Sequence, residues 1–362
     1  MVVKWLSKFQ YMWSLLIVLF VLSAFPVIAQ ADTSTTGSGI SFTVKTNLPD
    51  NQIDKNNEFY QLKMLPGQKQ TVTATVYNVT KKATTVNINV QTASTTMNGT
   101  VDYSKSLTNW DASLQYKLSN FISYPKSVTI PAGKSQNISF VISMPKDAYQ
   151  GILLGGITFN QANSDQSESS SDNANIKNKY AYAVAMMLKE SDEQVKPNIN
   201  LKSIKAGQNN GHNAININLQ NDQSLLMSNV KVDAKIYSEK GKKPVYTAIK
   251  SDMQIAPNSQ FKYPVSLQGT QMEPGKYRLE LAVTGTAYKD PKTWHFTKQF
   301  TIKRQEAANF NQSDVNVSAN TNGHMSLIII IIVVILIIIA IMLFILFILK
   351  RKKSNSKDSS ST

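Results

Sequence analysis

Cysteine is absent from all 362 residues, so no disulfide staples the fold and no thiolate is available as nucleophile or metal ligand. Histidine is scarce. His212, His295 and His324 fall in a turn, a strand and a polar segment, without a second histidine or a carboxylate at ligand spacing, so no metal site is expected. Lys and Arg form no block before the last residues and no nucleic-acid motif is present, which argues against nucleic acid as a partner. Nor does any segment between Asp32 and Gln305 carry an apolar 3.6-residue period long enough for a major helix. Ser and Asp are plentiful, so composition leaves a catalytic triad open. With no catalytic constellation and no cofactor motif in view, the expectation is a protein that binds rather than reacts.

The one long apolar run lies near the C-terminus. Leu327 to Leu349 are 23 uncharged residues, nearly all Ile, Leu, Val, Phe and Met. As a helix they reach roughly 34 Å, enough to cross a bilayer core with some tilt, and a membrane helix is expected over 326–349. Lys350, Arg351, Lys352 and Lys353 follow directly, whereas the stretch from Thr321 to Ser326 holds no Lys or Arg. The positive-inside rule therefore places the basic tail, 350–362, in the cytoplasm and the rest outside the cell membrane. At the other end, Lys4 and Lys8, the apolar Leu15 to Ala24 and the Ala29-Gln30-Ala31 site read as a signal peptide over 1–31. A large ectodomain without cysteine suits the outer face of a Gram-positive bacterium. The signal peptide contributes +2 and the tail +4 to the formal charge of +15, leaving about +9 scattered over the ectodomain. Either attraction to anionic wall polymers or a solvated surface accounts for that balance.

Between these ends the hydropathy has period two. Val72, Ala74 and Val76 alternate with Thr71, Thr73, Thr75 and Tyr77, and Val86, Ile88 and Val90 follow the same rule after a Lys81-Lys82 turn. Three strand–turn–strand units recur, around Pro66-Gly67-Gln68, Pro131-Ala132-Gly133 and Pro257-Asn258, where Pro fixes φ and Gly or Asn tolerates positive φ. A fourth turn, Glu273-Pro274-Gly275-Lys276, opens another alternating strand. The pattern predicts an all-β ectodomain of two tandem immunoglobulin-like β-sandwiches, over 40–161 and 180–305. The polar stretch 162–179 is a flexible loop by composition, and 306–325 reads as a polar stalk. The apolar segment 180–190 either completes the first sandwich as a hairpin with Ile152 to Phe159 or begins the second.

Met97 to Tyr124 is the least regular stretch and carries several aromatics around an Asn98-Gly99 turn. Rings with polar tips on loops suit sugars or a protein partner, which makes Tyr103, Trp110 and Tyr116 candidate ligand contacts. Trp110, between Asn109 and Asp111, is expected to be partly exposed. The alternative is that these rings plug the end of the sandwich.

Taken together, Phe59-Tyr60-Gln61-Leu62 through Pro66-Gly67-Gln68, Val76-Tyr77-Asn78, Asn98 to Tyr103, Met144-Pro145 and Gly155 to Phe159 resemble the peptidoglycan-binding module of WxL-interacting proteins. Tyr180 to Lys303 resembles their host-binding module. The resemblance implies a non-enzymatic, membrane-anchored scaffold on the Gram-positive cell surface, with peptidoglycan and WxL-domain proteins as partners. It also implies an adhesin for host matrix proteins as the alternative. It carries over no ligand-contacting residue. Trp13-Ser14-Leu15, in the signal peptide, is the only literal Trp-x-Leu, so the chain is not itself a WxL protein. No LPxTG motif is present, which points to a permanent anchor rather than a sortase leader.

Overall fold

The computed structural model describes residues 41–162 and 181–355, with side chains left out at 318–328 and 347–355. The expected signal peptide, nearly all of the 162–179 loop and the last seven residues of the tail lie outside the described residues.

The first sandwich contains β1 (Phe42–Asn47), β2 (Tyr60–Lys63), β3 (Lys69–Asn78), β4 (Thr84–Thr92), β7 (Ile122–Ser123), β8 (Ser127–Ile130), β9 (Ser135–Ser143), β10 (Ile152–Gln161) and β11 (Ala181–Lys189), with a small hairpin of β5 (Ser94–Thr95) and β6 (Val101–Asp102) inserted. Its sheets run β1-β3-β9-β7 and β2-β11-β10-β4-β8. The second sandwich pairs a β12-β13-β16 sheet (Asn200–Asn209, His212–Asn221, Ser259–Ser266) with a β15-β14-β17-β18 sheet (Tyr246–Ile255, Met227–Ser238, Gly275–Thr286, Pro291–Ile302). Inward positions of the alternating strands build the cores. Val72, Ala74, Val76, Phe140 and Phe159 are buried in the first, and Ile215, Ile217, Val232, Ile236 and Leu281 in the second.

All three recurring turns do the same topological work. Each carries the chain from one sheet of a sandwich to the other: β2 to β3, β8 to β9, and β15 to β16. Gly67, Gly133 and Asn258 take φ of +69°, +63° and +47° at these corners, where a glycine or asparagine costs least.

The segment Ala181–Lys189 belongs to the first sandwich. It pairs antiparallel with β10 from Ile152↔Lys189 to Asn160↔Ala181 and parallel with β2 at Met186–Lys189. Of the two alternatives for 180–190, the pairing gives the hairpin with Ile152 to Phe159, and the strands of the second sandwich begin with β12. Gly155 lies in the middle of β10, where a Cβ would stand 2.3 Å from the Gln91 backbone oxygen and 2.8 Å from Leu118 Cδ2. Gly155→Ala is expected to cost about 1–3 kcal/mol by overpacking. Gly133→Ala meets nothing within 4 Å and should lose only the roughly 1 kcal/mol of its left-handed backbone. Thermal unfolding of both variants checks the order.

The polar stalk is also corrected. Residues 304–313 form helix α1 (Arg304–Ser313), and α2 (Val315–Asn355) follows after a single residue. Ala307 and Val317 are buried. Asn311 accepts from Met272 N at 2.7 Å and from Asn213 Nδ2 at 2.8 Å, and its own Nδ2 donates to the Met272 carbonyl. Asp314 is fully buried. It accepts from Asn213 N and caps α2 by accepting from the Asn316 and Val317 amides. Polar composition misled here because the side chains of half-buried Asn311 and buried Asp314 bond backbone groups of the second sandwich and are not solvated surface. Ile329–Leu346 of α2 is long and apolar enough to cross a membrane and is buried against nothing in the protein.

Candidate binding surfaces at the module junction

The irregular stretch from Met97 to Tyr124 is where the first sandwich grips the second. The β5–β6 turn presses Gly99 (φ +68°) against Met253, whose side chain leaves no room for a Cβ. The Gly99 carbonyl accepts from Gln254 N at 2.7 Å, and Thr95 Oγ1 accepts from Ala256 N at 2.9 Å and lies 2.7 Å from Ser259 Oγ. Asp111, 8% exposed, receives Gln220 Nε2 on both carboxylate oxygens at 2.8 and 2.9 Å, and the Ser113 amide and hydroxyl at 2.9 and 2.7 Å. Asn258, on the third corner turn, donates to the Ser113 carbonyl at 3.0 Å. Ser224 O accepts from Ile152 N at 2.8 Å, an approach that Gly151 permits at φ +82°. A small apolar cluster of Ala93, Leu154 and Ala256 seals the joint.

The Asp111–Gln220 bonds are buried and the others part-buried, and with the apolar cluster they make the modules meet as a packed interface and not through a loose linker. Burial pushes the Asp111 carboxyl up, but the hydrogen bonds from Ser113 and Gln220 and the charge of Lys202 outweigh it and hold the pKa below the ordinary value. Asp222 behaves alike: burial raises it, and bonds from Gln223, Asn200 and Asn198 lower it further.

A cleft of about 340 Å³ opens beside this joint, lined among others by Gln115, Tyr116, Tyr149, Gln150, Asp222 and Asn258. Tyr116 stands edge-on to Tyr149 at 6.1 Å and to Phe121 at 5.7 Å. Of the three aromatics singled out, only Tyr116 lines the cleft. Tyr103 lies over Gly156 and packs on the cluster of Ala93, Leu154 and Ala256 that closes the joint, where burial raises its hydroxyl pKa. Trp110 is half-buried, with the Lys117 ammonium 5.4 Å from its ring centre. The structure thus gives Tyr116 to the cleft and Tyr103 to the joint and leaves Trp110 apart from both. Tyr149, Asp222 and Asn258 were not singled out, because nothing in sequence distance brings 149, 222 and 258 together. Only the Pro257-Asn258 turn signal hinted at one of them. Among the described residues, no group of three or more His, Cys, Asp or Glu side chains stands where it could hold a metal.

Residues 42–161 match the family model described as WxL Interacting Protein, peptidoglycan binding domain, and residues 171–312 match WxL Interacting Protein, host binding domain. The chain belongs to the WxL-interacting protein family. The second model begins before β11, although strand pairing gives β11 to the first sandwich, and it reaches through most of α1, in keeping with the docking of that helix on the second sandwich. No curated protein matches the chain. Among solved structures it is similar to a chaperone–tip adhesin complex of CFA/I fimbriae biogenesis, at 16% identity over 72% of this chain and 98% of that one, TM-score 0.31. The class 5 fimbriae chaperone CfaA (17%, 67% and 97%, 0.28) and the E. coli chaperone DraB (11%, 72% and 98%, 0.27) are comparably distant. The sandwich architecture described above rests on this chain's own strand pairing.

Proposed function

We propose that this protein is a non-enzymatic, membrane-anchored scaffold of the Gram-positive surface that holds peptidoglycan and WxL-domain proteins in a fixed relation. Its two modules would sit between bilayer and wall, with the basic tail in the cytoplasm. The match of both family modules, in order and followed by a helix with a charge-free apolar stretch at Ile329–Leu346, carries this reading. The packed module joint supports the scaffold aspect: a stiff arm presents two binding modules at a set distance and angle. Full-length protein in detergent micelles should co-sediment with insoluble peptidoglycan and retain a WxL-domain protein from the same bacterium. Failure of both would overturn the reading. The second reading, a host-matrix adhesin, is supported by the description of the second module as host binding. Full-length protein should then bind immobilised matrix proteins at micromolar concentration, and no binding removes it.

Trp110 gives a local check. If it touches a partner, Trp110→Ala weakens partner binding with a melting temperature within about 2 °C of wild type, because a half-exposed ring contributes little to the core. A fall of many degrees assigns the ring to packing under Lys117 instead.

A further inference from the structure

The cleft beside the module joint has a one-sided hydrogen-bonding balance, because its donors are spent on the protein itself. Tyr149 Oη donates to the Leu188 carbonyl at 3.0 Å, Ser224 Oγ to Asn258 Oδ1 at 2.9 Å, and Asn258 Nδ2 to the Ser113 carbonyl at 3.0 Å. Gln150 Nε2 turns to Glu193 at 3.1 Å and Gln223 Nε2 to Asp222 at 2.7 Å. An amide held by its nitrogen still has its oxygen to offer, and the side-chain oxygens of Gln150 and Gln223 accept no bond from the described residues. What the lining leaves over is chiefly acceptor capacity.

Charge points the same way. Lys and Arg outnumber Asp and Glu 38 to 23 in the chain, yet the one charged group lining the cleft is the Asp222 carboxylate. Besides Gln223, Asn200 Nδ2 donates to it at 2.8 Å and Asn198 Nδ2 to both of its oxygens at 3.2 Å. These donors are neutral, so they favour the ionised carboxylate without cancelling its charge. Glu193 adds a second carboxylate beside the cleft through its bond to Gln150. Glu190 stands behind the Tyr149 wall, accepting from Tyr149 N at 2.9 Å, and its other oxygen is buried without a partner. Among the described residues no Lys, Arg or His forms an ion pair with Asp222, Glu190 or Glu193. A second cleft at the same joint, of about 280 Å³ and lined among others by Lys189, Asp192 and Glu193, supplies the contrast. There Asp192 is neutralised by Lys63 and Lys189. The protein thus provides a counter-ion for one carboxylate of the joint and none for the other.

We infer that the cleft takes a primary ammonium group carried on a peptide, with Asp222 as its counter-ion, the free oxygens of Gln150 and Gln223 as acceptors, and the half-buried Tyr116 ring against its methylene stem. An ammonium group has three donors and no acceptor, which is what a cleft rich in acceptors and short of donors suits, and its charge is attracted to an aromatic face. The inference rests on the peptidoglycan-binding reading above and names the part of the polymer that this site holds: the free side-chain amine of the stem peptide. The sugar chain fits less well, because its hydroxyl and acetamido oxygens need donors. Tyr116 and Gln150 come from the first module and Asp222 from the second, so the site exists only where the two are joined.

The test is calorimetric titration of full-length protein in detergent micelles with three probes. These are a stem peptide with its N-terminus blocked and its side-chain amine free, the same peptide acetylated at that amine, and glycan strands stripped of peptide. Wild type should bind the free-amine peptide at least tenfold more tightly than the acetylated one, and added salt should narrow the difference, because Asp222 is only half-buried. Asp222→Asn keeps the shape and removes the charge. It should lose at least tenfold in affinity for the free-amine peptide and bind the acetylated one as wild type does. Asp192→Asn, in the second cleft, should change neither affinity. Equal binding of the two peptides by wild type overturns the inference without any variant having to fold, and so does a preference that survives in Asp222→Asn. Binding of stripped strands and of neither peptide overturns this site while leaving the functional reading intact. Failure of wild type to co-sediment with insoluble peptidoglycan overturns that reading itself.

Discussion

Asp111→Ala is expected to destabilise the ectodomain by about 2–3 kcal/mol and to uncouple its two sandwiches. The carboxylate is the single acceptor for Gln220 Nε2 and for the Ser113 amide and hydroxyl, all at or near the buried joint. Truncation leaves those donors without acceptors, and bonds to a charged group are each worth about 1.5–3 kcal/mol. In calorimetry the wild type should unfold in one transition, because the modules share buried bonds, and the variant in two. Asp111→Asn keeps one acceptor oxygen and should lose less. A single transition at the wild-type temperature in Asp111→Ala would show that the joint is held without this residue.

The same carboxylate gives the joint an acid limit. Its folded pKa lies below the ordinary 3.8, and those of Asp222 and Asp314 are lowered too, so in acid the unfolded chain takes up protons first. The stabilisation is complete above the unfolded value and is lost as pH falls through the folded one. The melting temperature should therefore hold steady from neutral pH to about 5 and drop below about pH 4.

The largest effect is expected in the C-terminal helix. Ile335→Asp combined with Ile338→Asp puts two charges at the middle of the apolar stretch, at a cost of about 5–7 kcal/mol for insertion. Both side chains are exposed in the isolated protein, so the sandwiches lose no contact. Expressed in a Gram-positive host, the variant should leave the carbonate-washed membrane fraction while wild type stays. Retention of the variant in that fraction would mean that something other than this helix holds the protein.

Much of the fold is legible along the chain because strand alternation and corner turns are local. Val72, Ala74 and Val76 announce a buried face within five residues, and Pro with Gly or Asn announces each change of sheet. The outward half of β3 is legible by the same logic, since Thr71, Thr73, Thr75 and Tyr77 are the other half of that alternation. Its neighbours on β1 and β9 are not legible in that way, because they lie more than twenty and more than fifty residues away in register.

The aromatic-rich stretch from Met97 to Tyr124 shows the opposite case. Loss of periodicity and exposed-looking rings read as a ligand surface, yet Gly99, Asp111 and Ser113 hold the second sandwich, and Tyr116, Leu118, Phe121, Ile122 and Tyr124 pack on the core of the first. Docking and ligand binding draw on the same residue types, aromatic bodies with polar tips, and the difference lies in which partner comes within reach. The 306–325 segment misleads for a related reason. Asn311 and Asp314 have the composition of solvated linker, but their amide and carboxylate meet backbone groups of Met272 and Asn213.

By itself the sequence determined the sandwich class, the corner turns and the apolar helix, because each follows from interactions among residues within a few positions of one another. Only the tertiary structure decided which sandwich owns β11, that the modules are locked through Asp111 and Asn258, and that α1 docks on the second sandwich. Those outcomes depend on pairing between segments tens to more than a hundred residues apart, where hydrogen-bond geometry, not local pattern, selects the partner.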